Sequence, residues 1–263
     1  MYAQLNGISH YVEDSGGRGT PIVFMHGLGG SHESWSYQAP LADEFRIVTY
    51  DERGSGKTQK AAGPYSIELM ADDLLALLDH LELQDPVLVG LSMGGGIAQT
   101  FELKYPGRAR GLGLLSTSSE FSEGKRQVFR TRADTAERDG MSSLVDSMVV
   151  RWFSPAFTAE HPDVVGDVRG AQLAHDPRAF AARCRANSER GWTDRLGSIS
   201  CPVLYVGGEL DPGNFMSSVD TYKATVPTID VHVIPGASHC IQIERPDLLN
   251  PLIANFVRGL ARP

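Results

Sequence analysis

The stretch "PVLVGLSMGGGIAQTFELKYP", residues 86–106, decides the fold. An apolar run rich in Val and Leu reads as a buried β-strand, and it passes without a spacer into a small-residue segment that opens a helical pattern. At the junction stand Gly90, Ser92 and Gly94, a G-x-S-x-G in strand-turn-helix context. A turn this sharp holds its central residue in strained backbone angles and brings strand and helix so close that positions two before and two after must lack side chains. Ser92 is thereby lifted to the carboxyl edge of a sheet, with a helix N-terminus beside it to favour developing negative charge.

Outward from this stretch the same grammar repeats. Short apolar runs at 21–27 (PIVFMHG), 45–51 (FRIVTYD), 112–116 (LGLLS), 202–208 (PVLYVGG) and 231–236 (VHVIPG) are bounded by Gly, Pro or Asp. They read as strands buried on both faces. In "SIELMADDLLALLDHLEL", Ile67, Met70, Leu74, Leu77 and Leu81 recur at helical spacing behind a Ser66 cap, and Pro246 opens a last amphipathic helix through Leu249, Ile253, Phe256 and Leu260. Alternating strands and helices predict an α/β fold with a mostly parallel sheet. The alternation stops between residues 119 and 198, where helical spacing continues without a strand. The expected organisation is a core in two parts, 1–118 and 199–263, with a helical cap at 119–198 between them.

Residues 51–58, "DERGSGKT", end like a phosphate-binding loop. Such a loop requires glycine five residues before Gly56 and a helix starting at the lysine. Asp51 occupies the first position, and Gly63 and Pro64 interrupt the expected helix. Nucleotide binding is therefore not expected.

A serine needs a base and an orienting acid. The strand at 202–208 is followed by Glu209-Leu210-Asp211, and the strand at 231–236 by "GASHC" with His239. The order Ser92, Asp211, His239 is that of nucleophile-elbow hydrolases. Asp211, just beyond a strand end, is favoured over Glu209 as the acid. His10, His80, His161, His175 and His232 read as surface or structural residues. For the oxyanion, the amide of Met93 follows the nucleophile, and the glycine-rich "MHGLGGS" at 25–31 supplies Leu28 as second donor. His26 and His32 lack a third ligand at metal-binding spacing, so neither metal nor cofactor is expected.

"HGLGG", "DERGSG", "GLSMGG", "GELD" and "GASH" stand in the order and approximate spacing of the α/β-hydrolase fold superfamily, which the chain resembles over essentially its full length. The resemblance implies a twisted sheet of about eight strands flanked by helices, a D-x-R-G-x-G loop that buttresses the site, and a cap that roofs the pocket. Within the superfamily, "RWFSPAF" at 151–157, "AARCRAN" at 181–187 and "DRLGSISCPVLYVGGELD" resemble the 3-oxoadipate enol-lactonase and carboxylesterase group. Those enzymes open an enol-lactone carrying a carboxylate, which the resemblance assigns to Arg151 and Trp152. The alternative for these two residues is a surface salt bridge by Arg151 and core packing by Trp152. The implied activity is serine hydrolysis of a small-molecule ester or lactone. Two other readings use the same fold: a carbon-carbon hydrolase of the meta-cleavage-product type, in which Trp typically follows the histidine where Cys240 stands here, and a ligand receptor of low turnover.

Bulk properties fit these readings. The 263 residues are 41% hydrophobic and 21% charged with net charge −8, enough for a sizeable core. Lys and Arg are scattered, so nucleic acid is not an expected partner. Cys184, Cys201 and Cys240 suit neither a disulfide framework nor a zinc site and read as free thiols. No leader-like or membrane-spanning run is legible, and a cytoplasmic location is expected.

Overall fold

The computed structural model describes residues 1–213 and 215–260. Eight strands form one sheet: β1 (Tyr2–Leu5), β2 (Ile8–Asp14), β3 (Pro21–Met25), β4 (Arg46–Tyr50), β5 (Val87–Leu91), β6 (Gly111–Leu115), β7 (Val203–Gly208) and β8 (Ile229–Ile234). Their order is β1-β2-β4-β3-β5-β6-β7-β8; β1, β2 and β4 pair antiparallel and every later pairing is parallel. All five residues of β5 and of β6 are buried, as strands covered on both faces require, whereas β8, expected to be buried likewise, lies at the far edge of the sheet and buries only Ile234.

Two strands escape a search for continuous apolar runs. β1 and β2 lie at the sheet's edge and bury alternate residues, and their turn is made by Asn6 and Gly7, both at positive φ. Asn-Gly between alternating segments was the signal that would have found them.

Helix α1 (Ile67–His80) starts where Ser66 Oγ accepts from the Leu69 amide, and it buries Ile67, Met70, Leu74 and Leu77. It packs on α2 (Met93–Lys104), which leaves β5 with only Ser92 intervening. Between β6 and β7 run α3 (Glu123–Asp139), α4 (Val145–Val149), α5 (Pro155–Glu160), α6 (Pro162–Leu173) and α7 (Pro177–Ser188). α3 and α7 lie against each other. The sheet is then completed around α8 (Phe215–Thr225), α9 (Ile241–Glu244) and α10 (Pro246–Gly259). No helix among the described residues is long and apolar enough to cross a membrane.

The strand order positions the site. The chain steps outward from β3 to β4, then returns past β3 to β5. The loops leaving the carboxyl ends of β3 and β5 therefore diverge, and a crevice opens between them.

Candidate active site

Ser92 has φ 54° and ψ −104°, a strained conformation for a residue with a side chain. The surroundings dictate it. Its amide donates to Leu115 O at 2.8 Å, and its carbonyl accepts from the Thr117 hydroxyl at 2.6 Å and the Arg190 guanidinium at 3.1 Å. Each neighbouring glycine has its own reason. A Cβ on Gly90 would lie 2.3 Å from Gly94 backbone atoms, and one on Gly94 would lie 2.2 Å from Met25 O. At Gly95 it would press on Thr117, and at Gly96 on the Arg190 guanidinium at 2.8 Å.

Arg190 is a component that motif reading missed. Fully buried, it spans Ser92 O, Thr117 Oγ1, Ser118 O and Asn187 Oδ1, with its guanidinium 4.7 Å from the centre of the Phe121 ring. Burial pushes its pKa down to about 10, so it remains a cation behind the serine. The third glycine of "GGG" is the only local trace of it in the sequence.

His239 Nδ1 lies 3.0 Å from Asp211 Oδ1, which also accepts the Gly213 amide at 2.7 Å. Since the carboxylate only accepts, it fixes the proton on Nδ1 and leaves Nε2 as the basic nitrogen. Burial alone would raise the Asp211 carboxyl; the His239 charge and hydrogen bond, the Gly213 amide and Lys125 outweigh it and hold the pKa below the usual carboxylate range. Glu209 is exposed and accepts instead from the Gly236 amide. Ser92, Asp211, His239, Leu28, Arg151 and Trp152 all line one cavity of about 740 Å³. Among the described residues the His239 ring is hydrogen-bonded to Asp211 and not to the Ser92 hydroxyl; such a contact often tightens only with substrate in place.

The loop after β3 closes on Ser92: a Cβ on Gly27 would sit 3.5 Å from that of Ser92. Neither the Leu28 nor the Met93 amide donates to another described residue; Leu28 lines the cavity, and Met93 follows the serine in the chain without lining it. His26 orders the loop. Its Nδ1 donates to Gly27 O at 2.8 Å, in the peptide plane that carries the Leu28 N–H, while its Nε2 accepts from the Glu52 amide at 3.1 Å. Burial lowers its pKa to about 3, so the ring stays neutral with a fixed tautomer. His32 Nδ1 is held by Asp51 at 2.8 Å. No group of three or more His, Cys, Asp or Glu among the described residues is placed to hold a metal.

The "DERGSGKT" loop wraps around its own carboxylate. Asp51 accepts from the His32 amide and ring and from the Lys57 amide, at 2.6–2.8 Å. Burial opposes the charge, but the His32 hydrogen bond, His26 and the two amides bring the pKa down to about 2. The amide a phosphate would have needed is taken, and the next helix begins only at Ile67.

Arg151 makes no ion pair among the described residues; its guanidinium reaches Pro212 O at 3.4 Å. Residues 151–154 are tied to the histidine loop. Ser238 Oγ donates to Arg151 O, the Cys240 amide donates to Trp152 O at 2.9 Å, and Glu244 accepts from the Ser154 and Ser238 amides.

The sequence profile described as alpha/beta hydrolase fold matches residues 20–246. The 3-oxoadipate enol-lactonase 2 of Acinetobacter baylyi is 28% identical over 235 residues, covering 87% of this chain and 85% of that protein. Among solved structures, the enol-lactonase of Burkholderia xenovorans aligns with TM-score 0.94 at 27% identity, covering 98% of this chain and 100% of its own. A thermophilic esterase of Thermogutta terrifontis, solved with malate bound, aligns with TM-score 0.93 at 31% identity, covering 100% and 99%.

Proposed function

We infer, from the premise that the chain belongs to the alpha/beta hydrolase fold family, that it cleaves a small carboxylic ester or lactone through Ser92, His239 and Asp211. The observation that carries this reading is the Asp211–His239 pair facing the same cavity as a serine held at a strained elbow. Ser92 Oγ attacks the carbonyl while His239 Nε2 takes its proton, and Asp211 holds the ring and stabilises the imidazolium. The Leu28 and Met93 amides receive the tetrahedral oxyanion. Collapse expels the alcohol with the proton returned by His239, and water then releases the acid by the same steps in reverse.

The cavity favours a substrate that carries an acid group. Lys125, Phe129 and Arg132 follow one face of α3 into it, and neither Lys125 Nζ nor the Arg132 guanidinium has a hydrogen bond or ion pair with a described residue. Arg132 lies only over the Phe129 ring, 5.4 Å from its centre. Elsewhere on α3, Arg130 and Arg138 are paired with acids. Sheltered cations without a direct ion-pair partner are costly, and a carboxylate between them and Arg151 relieves that cost. The similarity to enol-lactonases and to an esterase with bound malate supports the same reading.

The test is a panel of p-nitrophenyl esters, neutral and carboxylate-bearing, beside a γ-lactone and an enol-lactone, with fluorophosphonate labelling. Ser92→Ala is expected to abolish labelling and cut kcat by up to ~10⁶. Arg132→Gln is expected to lower kcat/KM for the anionic esters alone. An unimpaired Ser92→Ala would remove the mechanism; equal losses on neutral and anionic esters would remove the carboxylate.

A further inference from the structure

The oxyanion loop is gripped by the helical segment between β6 and β7. The carbonyls of the three glycines after the strand end, Gly27, Gly29 and Gly30, are each bonded differently. Gly27 O is satisfied within the loop itself, by His26 Nδ1 and the Gly30 amide. Gly30 O accepts from Ser55 Oγ, whose oxygen is in turn held by buried Arg183 of α7. Gly29 O, between them, accepts two donors: Gln172 Nε2 near the end of α6, and His175 Nε2 in the turn that follows, at 2.7 Å. Among the described residues, no other donor is bonded to Gly29 O.

The fit around Gly29 is made for that grip. The residue sits at φ +83°, and a Cβ there would lie 2.3 Å from Gln172 Oε1 and 3.2 Å from the Trp152 ring. Gln172 is buried. His175 is held neutral by burial, its pKa lowered to about 4, so near neutral pH it carries a single ring proton, which the Gly29 carbonyl places on Nε2.

A glycine-rich loop gives up more backbone freedom on ordering than any other, and an amide aimed at a developing charge contributes only if it is already in place. The Gly29–Gly30 peptide is held at its carbonyl by Gln172 and His175, and its own N–H donates to Gly27 O, the carbonyl of the peptide plane that carries the Leu28 N–H. We propose that Gln172 and His175 are positioning residues that hold the Leu28 amide ready through Gly29, making the oxyanion site competent only while the α6 end is seated on the loop. This rests on the hydrolase reading for its catalytic consequence but not for its structural one.

The experiment compares wild type with Gln172→Ala, His175→Ala, the double variant, and His175→Gln, which retains a donor. Three quantities are read: kcat and KM on p-nitrophenyl acetate, the fluorophosphonate labelling rate, and hydrogen exchange of the amides at 27–31. Loss of a complete oxyanion donor costs roughly 10²–10³ in kcat, so a loosened one is expected to cost about 10-fold or more in the double variant. KM should change little, labelling should slow in parallel, exchange should rise at 27–31, and His175→Gln should recover much of the loss. The proposal is overturned if the double variant keeps both wild-type kcat and wild-type exchange, or if protection is lost across the whole chain rather than in the loop. Should wild type itself neither turn over esters nor label, the hydrolase reading fails, and the exchange data alone judge the grip on Gly29.

Discussion

Gly90→Ala probes the tightest point of the elbow. The added methyl would sit 2.3 Å from Gly94 C and O and 2.4 Å from Gly95 N, all backbone atoms that cannot rotate aside. Ordinary carbon contacts lie near 3.5 Å, so the start of α2 must retreat by roughly 1 Å from β5. That retreat carries Ser92 and the Met93 amide with it. Overpacking of this kind costs about 1–3 kcal/mol, which for a chain of this size lowers Tm by roughly 2–12 °C. The catalytic cost is larger, because a 1 Å misplacement of reacting groups is worth about 10²-fold in rate. Calorimetry and p-nitrophenyl acetate kinetics on the same preparation separate the two effects. Gly96→Ala is the control, since its methyl meets the tip of the Arg190 side chain at 2.8 Å rather than backbone; it should cost less on both scales. A Gly90→Ala protein with wild-type kcat/KM and Tm would refute the argument that close approach fixes the elbow.

Asp211→Asn frees the Nδ1 proton to move and should lower kcat by roughly 10⁴-fold with KM little changed, measured by steady-state kinetics. Asp51 is fully buried, with a folded pKa of about 2 against an unfolded value near 3.8. Its contribution, about 2 kcal/mol, is present above the unfolded value and lost as pH falls from about 4 to 2. Asp51→Asn should therefore unfold at lower urea than wild type at pH 7, and the gap should narrow below pH 4. Arg190→Lys cannot span the four acceptors now held by one planar fork; it should lose about 2–3 kcal/mol in urea unfolding together with several-fold in kcat. Cys184, Cys201 and Cys240 are all buried, and burial raises each thiol, to about 12 for the first two and further for Cys240. Dithionitrobenzoate at pH 8 should react slowly with native protein and with all three thiols after denaturation.

The reach of the sequence followed the range of the forces involved. Residues whose role is written in local backbone geometry were legible one at a time: the glycines that let strand and helix meet at Ser92, the Ser66 cap, the proline that opens α10. The order of the strand-end loops carrying Leu28, Ser92, Asp211 and His239 was legible as well, because parallel α/β crossovers leave little freedom in where successive loops emerge. The strands β1 and β2, at one end of the sheet, were missed because they bury alternate residues and so lack the continuous apolar runs of the interior strands. What no spacing encodes is contact between segments far apart in the chain. Arg190 reaches Ser92 O from 98 residues away, Gln172 and His175 reach Gly29 O from 143 and 146, and Lys125 and Arg132 differ from their paired neighbours only in facing a cavity. A buried guanidinium, an unpaired cation or a doubly bonded carbonyl is defined by what surrounds it, and only tertiary packing supplies the surroundings.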